Sequence, residues 1–449
     1  MKNKSFPGGI FPLHGSGEGK SATAGLPVEL LPPPKEVVLP MSRATGAPSK
    51  CLVKQGDTVK MGQLIGEPTG FVGAPVHATV SGKVTAVENR SLPFGRTAQC
   101  VVIENDFQDT ADEGACPYPA LESMTPEDIR AAIRDMGIVG MGGATFPTHV
   151  KLSPPPGKTV DVLVVNGAEC EPYITADHRL MIEQTEDVLD GIRWLMKAAG
   201  VSKAVVGIER NKPDALKAMD DAAGINSGII MEAMRVKYPQ GSEKQLIYAL
   251  TRRVVPVGGL PADVGVVVVN VATAAAVSQA MRTGLPPYQR IVTVTGGGIS
   301  RPANLRVRLG ASFEDCIEAC GGLCEDVDKL LAGGPMMGLA QYTTQIPVTA
   351  GTNGIVALSH KEAAVPEPSA CICCGRCAEV CPMGLLPLSI AQASDASRYD
   401  EAEKLSVVQC VECGACSFVC PAKRHLVQSI RVAKQAVIQQ AREKGGAAK

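Results

Sequence analysis

Apolar and polar positions change their spacing along this chain, and the changes mark its parts. From Lys35 to about Asp106, short β-type runs are separated by glycine turns, most clearly at Val53 to Val59, Gly62 to Ile65 and Val80 to Val84. Strands this short with turns this frequent predict a small β-barrel or sandwich over 35–106. From Ser123 to Pro287 helical and strand-like segments alternate, which predicts an α/β domain over 123–287. Pro126 to Met136 reads as a helix with Thr125 as N-cap, and Glu186 to Ala199 as a second helix. Val160 to Val165, Lys203 to Ile208 and Val266 to Val269 are nearly continuous apolar runs, as buried parallel strands require.

Over 288–360 the pattern becomes a compact α+β unit. Ile291 to Thr295 and Arg306 to Leu309 bracket Gly296 to Gly298, a helix is expected at Ser312 to Cys320, and Gly333-Gly-Pro-Met-Met-Gly338 closes the unit. The first 34 residues, rich in Gly, Pro and Ser, read as an irregular arm, and Lys361 to Pro368 as a linker into a cysteine-rich region at 365–428. The final segment, 429–449, reads as a polar helix and tail. Its helix, Ser429 to Lys444, sets Ile430, Val432, Val437 and Ile438 beside Arg431, Lys434, Arg442 and Lys444. One such helix gives marginal membrane affinity at most, and it reads as a solvated helix.

A length of 449 residues accommodates about three domains. A net charge of -1 and an aromatic content of 4% exclude a general nucleic-acid affinity and base-stacking platforms. Met1 to Gly9 has no apolar core of a secretory signal. The most apolar stretch, Val264 to Ala280, is interrupted by Asn270, Thr273 and Gln279, short of the roughly 20 apolar residues of a membrane span. A soluble or peripheral cytosolic chain is expected.

Sixteen cysteines in such a chain point to metal or redox chemistry before disulfides. Two runs, Cys371-Ile-Cys373-Cys374-Gly-Arg-Cys377-Ala-Glu-Val-Cys381-Pro382 and Cys410-Val-Glu-Cys413-Gly-Ala-Cys416-Ser-Phe-Val-Cys420-Pro421, fit the bacterial ferredoxin pattern C-x2-C-x2-C-x3-C-P. Three thiolates wrap one 4Fe–4S cubane from a single loop, and the fourth serves the other cubane. Cluster 1 is therefore assigned Cys371, Cys374, Cys377 and Cys420, and cluster 2 Cys381, Cys410, Cys413 and Cys416. Cys373 falls off the spacing and reads as a bystander. Structural zinc sites use separated cysteine pairs, without the third Cys or the C-P ending.

A second candidate site follows the helix at Pro126. In Gly137-Ile-Val-Gly-Met-Gly-Gly-Ala-Thr-Phe-Pro-Thr-His-Val-Lys151, glycines 140, 142 and 143 let backbone N–H groups close around a phosphate, with Lys151 as counter-charge. The strand at Val160 ends in Asn166-Gly-Ala-Glu-Cys-Glu-Pro172, and ligands of open α/β sheets bind beyond strand C-termini. Glu169 and Glu171 suit ribityl or ribose hydroxyls; an ordinary solvated loop is the plain alternative.

These residues resemble a known family. The glycine run resembles the flavin loop G-x-x-G-R-G-G-A-G-F-P-T-G-x-K of the NADH-binding flavoprotein of respiratory complex I, and Asn166 to Pro172 its N-A-D-E-x-E-P segment. Tyr238-Pro-Gln-Gly-Ser-Glu243 is similar to its Y-x-x-G-E-E, and Asn270-Val-Ala-Thr273 to its N-N-V-E-T. The unit from Ile291 to Met337 resembles its β-grasp (SLBB) module. Residues 35–106 resemble a lipoyl-type barrel, with His77-Ala-Thr79 where a carrier domain would present its lysine, so a scaffold is expected.

The whole order, from Phe6-Pro-Gly-Gly9 to about Ile430, resembles the RnfC family of Rnf electron-transport complexes. The fold implied is a lipoyl-like barrel, a Rossmann-like flavin domain, a β-grasp SLBB module and a two-cluster ferredoxin-like helical domain. The resemblance implies two 4Fe–4S clusters, non-covalent FMN, and NAD(H) as substrate at the 137–177 and 238–273 loops. It implies cofactor contacts from Gly140, Gly142, Gly143, Lys151, Asn166, Glu169, Glu171, Tyr238, Gly241, Glu243, Asn270 and Thr273, and no general base of the chain's own. Ala168, Tyr173, Ser242 and Val269 depart from the complex I pattern, each losing a polar contact. The role implied is a peripheral NADH-oxidising subunit on the cytoplasmic face of the cell membrane. Its partners would be Rnf A-, B-, D-, E- and G-type membrane and iron–sulfur subunits, and indirectly ferredoxin, with coupling to Na+ or H+ movement. A stand-alone reductase of cobalamin type and a flavin-free electron wire are the alternatives.

Overall fold

Frequent turns divide the first third of the chain into short strands that close a small barrel. The computed structural model describes residues 4–11, 19–93 and 95–446; the remaining residues of the expected arm and tail lie outside these. After β1 (Val28–Leu30), strands β2 (Glu36–Pro40), β3 (Lys50–Cys51), β4 (Thr58–Val59), β5 (Leu64–Glu67), β6 (Val76–His77), β7 (Gly82–Ser91) and β8 (Thr97–Asn105) follow. They form two antiparallel sheets, ordered β2-β8-β7-β4 and β3-β5-β6, around Val37, Val59, Ile65, Val80, Val101 and Ile103. The His77-Ala-Thr79 stretch is buried, and Thr79 donates its hydroxyl to the Leu309 carbonyl at 2.7 Å. Where a carrier domain presents its lysine, this barrel is docked onto the rest of the chain.

The α/β domain begins with α1 (Pro126–Asp135), whose N-terminus is closed by a capping box between Thr125 and Asp128. It continues through α2 (Thr148–Lys151), β9 (Val162–Gly167), α3 (Ala176–Glu183), α4 (Thr185–Ala199) and β10 (Ala204–Glu209). Next come α5 (Pro213–Ala223), β11 (Ile229–Met234), α6 (Glu243–Thr251), β12 (Val266–Asn270) and α7 (Val271–Thr283). The sheet is parallel, ordered β11-β10-β9-β12. The Val-rich runs sit here because helices cover both faces and leave the strands no wet side. Helices α4 and α7 pack so closely at Gly191 that a Cβ there would lie 1.8 Å from the Ala274 carbonyl oxygen.

A six-stranded mixed sheet follows, from β13 (Gln289–Thr295), β14 (Ala303–Arg308), β15 (Val327–Ala332), β16 (Leu339–Gln341) and β17 (Gly354–Ser359). Helix α8 (Phe313–Ala319) lies against it, capped by Ser312. The sixth strand is β1, which pairs in parallel with β14 as Val28↔Asn304 to Leu30↔Arg306. The arm is therefore not irregular throughout. Its β1 run completes the edge of a sheet whose other strands lie in the second half of the chain, a partner that local spacing does not reveal.

Helix α9 (His360–Ala363) packs on the six-stranded sheet beside β15 and β17, and the last domain is helical: α10 (Arg376–Glu379), α11 (Pro387–Asp395), α12 (Tyr399–Lys404), α13 (Ala415–Phe418) and α14 (Leu426–Gly446). Helix α14 is not a free solvated helix. It starts at Leu426, and its stripe of Leu426, Val427, Ile430, Ala433 and Val437 is buried against Ile390, Ala391, Ala402 and Val407. Arg431 and Lys434 pair with Glu412 at 2.9 and 2.8 Å. The apolar stripe belongs to the cluster domain's core, so it is not available to a bilayer.

Because α4 and α7 meet at backbone distance, Gly191→Ala is expected to force them apart at a cost of about 1–3 kcal/mol or more. A lowered denaturant midpoint with unchanged slope would register it; an unchanged midpoint would mean that the helix pair has slack.

Candidate functional site

In the parallel sheet the chain leaves β9 toward β10 on one side, and β12 lies on the other. The crevice beyond the C-terminal ends of β9 and β12 is thus a topological switch point, where open α/β sheets bind ligands. Asn166 and Asn270 stand across it in register. Asn270 caps α7 through its Oδ1, which accepts from the Ala272 amide at 2.8 Å, while its Nδ2 donates to Asp177 Oδ2 at 2.7 Å. The glycine run lies over this helix end, with the Met141 amide donating to Thr273 Oγ1 at 3.0 Å. Gly142 sits so near Asn270 that a Cβ would come within 3.1 Å of its side chain, whereas a Cβ on Gly143, at φ 107°, would meet open space.

Lys151, at the end of α2, places its ammonium 2.9 Å from Glu243 Oε1 and 3.2 Å from the Val268 carbonyl. Asn166 Nδ2 donates to the Gly241 carbonyl at 2.9 Å. Gly142, Gly143, Lys151, Asn166, Gly241, Glu243, Asn270 and Thr273 are thus brought to one crevice, whereas the Gly140 amide donates to the Phe146 carbonyl at 2.9 Å and closes its own loop. Glycine amides, the first turn of the 13-residue α7 and the Lys151 ammonium suit the phosphate of an FMN.

Three residues expected at the cofactor are committed elsewhere. Glu169 accepts from the Asp177 and His178 amides at 2.7 and 3.3 Å, closing the N-terminus of α3. Glu171 Oε1 accepts from two consecutive amides, Met336 at 2.6 Å and Met337 at 3.0 Å. The Tyr238 hydroxyl donates to the Cys413 carbonyl at 2.7 Å. An acidic motif specifies an acceptor but not whether its donor is a ligand hydroxyl or a backbone amide. Burial pushes both Glu169 and Glu171 up to about 7.

Two lysines that motif reasoning missed fix this loop from beneath. Lys20 donates to the carbonyls of Glu169 at 3.0 Å, Glu171 at 2.8 Å and Ile174. Lys212 donates to the Ala168 carbonyl at 2.8 Å and pairs with Glu209 at 3.1 Å, with only 2% and 1% of the two side chains exposed. A charge with no exposed face is the available signal for Lys212, through its i,i+3 spacing from Glu209; Lys20 carries none in its glycine-rich setting.

The cysteines gather as two sets. Cys371, Cys374, Cys377 and Cys420 line one cavity, together with Cys373. Cys381, Cys410, Cys413 and Cys416 line another. The last thiol of each run is exchanged: Cys420 lies with the first run's thiols and Cys381 with the second's. Gly375 and Gly414, at φ 74° and 77°, start α10 and α13 in a left-handed conformation that glycine adopts without cost. Amides donate to sulfur from Cys373 to Cys371, Glu412 to Cys410 and Leu385 to Cys381, at 3.3–3.4 Å.

Burial pushes the Cys413 thiol up to about 11 and Cys416 up to about 12. Four thiolates in such surroundings require a positive partner, which iron supplies. Among the described residues no three His, Cys, Asp or Glu converge closely enough for a single ion. Each cysteine set instead surrounds a volume, as a cubane requires.

The two cavities differ in surroundings. The second lies against the α/β domain: besides the Tyr238 bond, Gln245 Nε2 donates to the Pro382 carbonyl at 3.2 Å, and Met336 covers Gly414. Both cavities are lined by residues of the cluster domain itself, and around the first Cys373, Cys374, Ile372 and Leu386 are exposed.

Comparison with known proteins divides the chain in the same way. Residues 4–108 match the family described as the RnfC barrel sandwich hybrid domain, and 133–279 the Nuo51 FMN-binding domain. Residues 291–340 match the SLBB domain, and 370–424 the 4Fe-4S dicluster domain. The chain is 51% identical over 443 residues to the C-type subunit of the Na+-translocating ferredoxin:NAD+ oxidoreductase complex of Acetobacterium woodii, covering 99% of each. It is 46% identical to the C-type subunit of the proton-translocating ferredoxin:NAD+ oxidoreductase complex of Clostridium ljungdahlii, covering 96% of this chain and 93% of the relative. Among solved structures, an NAD+-reducing NiFe-hydrogenase in the H2-reduced state is similar in fold, with TM-score 0.50 and 18% identity over 71% of this chain and 63% of that one.

Both Glu171 bonds end on one oxygen, so an amide side chain can accept them as well as a carboxylate can. Glu171→Ala is expected to release the 333–338 loop and shift the reduction potential of one cluster, while Glu171→Gln keeps the wild-type potential. A titration followed by electron paramagnetic resonance decides this. Weakened NADH or flavin binding in both variants, with unmoved potentials, would return Glu171 to the cofactor.

Proposed function

The chain belongs to the RnfC family, and we propose that it oxidises NADH for a membrane-bound, ion-translocating complex, passing the electrons through FMN and two 4Fe–4S clusters to partner subunits. The observation that carries this reading is the junction between its two sites. Tyr238, at the start of the turn that carries the crevice residue Gly241, donates its hydroxyl at 2.7 Å to the carbonyl of Cys413, which lines the second cysteine cavity.

FMN exchanges a hydride with NADH and releases electrons singly, which suits clusters that take one each. The chain's own residues bind and orient. Gly142 and Gly143 would admit the phosphate, with the first turn of α7 and Lys151 as its positive partners. Asn166, Asn270 and Thr273 hold the crevice open at the strand ends, and Gly241 and Glu243 close its far side. No side chain is needed as a general base. Cys381, Cys410, Cys413 and Cys416 would hold the cluster facing the crevice, and Cys371, Cys374, Cys377 and Cys420 the one facing outward.

The partners are the membrane and iron–sulfur subunits of the same complex, with ferredoxin reached indirectly. No helix among the described residues is long and apolar enough to cross a membrane, so movement of Na+ or H+ is assigned to the partners. The chain sits peripherally on the cytoplasmic face, where NADH is available.

Anaerobically purified protein is expected to carry about eight irons and FMN that acid or heat releases, and to reduce ferricyanide with NADH. Gly142→Leu should empty the flavin site, since the added side chain would collide with Asn270. Protein loaded with flavin and iron that shows no NADH-dependent reduction would overturn the nicotinamide half of the reading.

A further inference from the structure

The cluster domain reaches the rest of the chain through residues 364–368, which are exposed and without regular secondary structure. A tether of this kind fixes no distance. The position of the second cysteine cavity over the crevice must therefore be set by non-covalent contacts, and residues 4–11 supply a group of them that belongs to neither site.

This segment, Lys4-Ser-Phe-Pro-Gly-Gly-Ile-Phe11, lies between the two domains. Ile10 and Tyr238 exchange both backbone hydrogen bonds at 2.8 Å, and the Arg235 amide donates to the Lys4 carbonyl at 3.1 Å. One residue before Ile10, the Gly9 amide donates at 2.7 Å to the carbonyl of Val380, on the cluster domain. Successive amides thus bind opposite sides of the junction.

The side chains repeat the arrangement. Phe6 and Ile10 are buried. The Lys237 ammonium lies 4.6 Å from the Phe6 ring centre and donates to the Phe6 carbonyl at 2.8 Å; Arg235 lies 4.3 Å from the Phe11 ring centre. Lys4 pairs with Glu232 at 3.2 Å.

The two glycines are constrained as well. Gly8 and Gly9 have φ of 71° and 76°, and a Cβ on Gly8 would lie 2.7 Å from the Cys381 carbonyl oxygen. A Cβ on Gly9 would lie 2.6 Å from the Tyr238 carbonyl oxygen, and the Tyr238 hydroxyl reaches the Cys413 carbonyl. The segment therefore bears on two of the four cysteines of one cavity, Cys381 directly and Cys413 through Tyr238.

We propose that residues 4–11 form a strap that sets the distance between the flavin crevice and the second cluster, with Gly8 as its positioning residue. The proposal rests on the reading that this chain passes electrons from the crevice to that cluster. It requires the strap for cluster reduction by NADH and leaves flavin reduction by NADH independent of it.

The test uses the full chain with flavin and clusters in place. Gly8→Ala inserts a methyl group at the cluster side, and Phe6→Ala loosens the strap at the other end, away from every cysteine. Anaerobic stopped-flow mixing with NADH separates flavin bleaching from cluster bleaching, and ferricyanide turnover reports the flavin alone. In both variants iron, flavin and ferricyanide turnover are expected to match wild type, while cluster bleaching slows by about tenfold or more, as angstrom-scale misplacement does to steps governed by geometry. Cluster bleaching at the wild-type rate in both variants would overturn the proposal. Loss of iron from both would also overturn it, by making the strap part of the cluster site and not a spacer. If wild-type clusters are never reduced by NADH, the fault lies with the electron-transfer reading itself.

Discussion

Two ammonium groups beneath one loop, Lys212 buried and Lys20 half-buried, hold the centre of this molecule. Lys20, from the N-terminal arm, and Lys212, just before α5, donate to the carbonyls of Ala168, Glu169, Glu171 and Ile174 in the loop after β9. Removing a charge from water costs several kcal/mol unless it is paired and hydrogen-bonded. Here Glu209 and those carbonyls offset that cost. Everything functional hangs from the loop so fixed: Asn166 faces Gly241, Glu169 closes α3, and Glu171 captures the 333–338 loop.

The same loop explains why a nicotinamide-flavin site and an iron–sulfur pair can share one chain. The crevice opens at the strand ends, and its wall is a turn whose Tyr238 is hydrogen-bonded to a cluster loop. An exposed tether alone would let the cluster domain wander. Contacts from three separate stretches, at residues 4–11, 238–245 and 333–338, hold it in place. The two cysteine cavities differ in their neighbours: the α/β domain bonds to the loops of one, at Cys413 and Pro382, while exposed Ile372, Cys373 and Cys374 border the other.

Much of this was legible in the sequence, and the unread part has a common cause. Cluster ligation needs thiols at fixed local spacing, so Cys371 to Cys381 and Cys410 to Cys420 reveal themselves without any long-range information. The strands at Val162 and Val266 are apolar throughout because both faces of the sheet are covered. The glycine run and the two asparagines lie next to the strand ends that place them. Lys20 and β1, by contrast, act on partners 149 and more residues away, and nothing in their neighbourhood announces it. Glu169, Glu171 and Tyr238 have the right chemistry for a ligand, yet here they serve backbone groups. The stripe on α14 was hidden among charged residues that face the other way.

The central claim is that the cluster held by Cys381, Cys410, Cys413 and Cys416 stands between the crevice and the cluster held by Cys371, Cys374, Cys377 and Cys420. Removing one cluster at a time and asking whether NADH still reduces the other tests it most directly. In Cys374→Ser the remaining cluster should be reduced by NADH as in wild type. In Cys413→Ser the remaining cluster should be reduced by dithionite but no longer promptly by NADH. The opposite pattern, with prompt reduction in Cys413→Ser and loss in Cys374→Ser, would contradict the account.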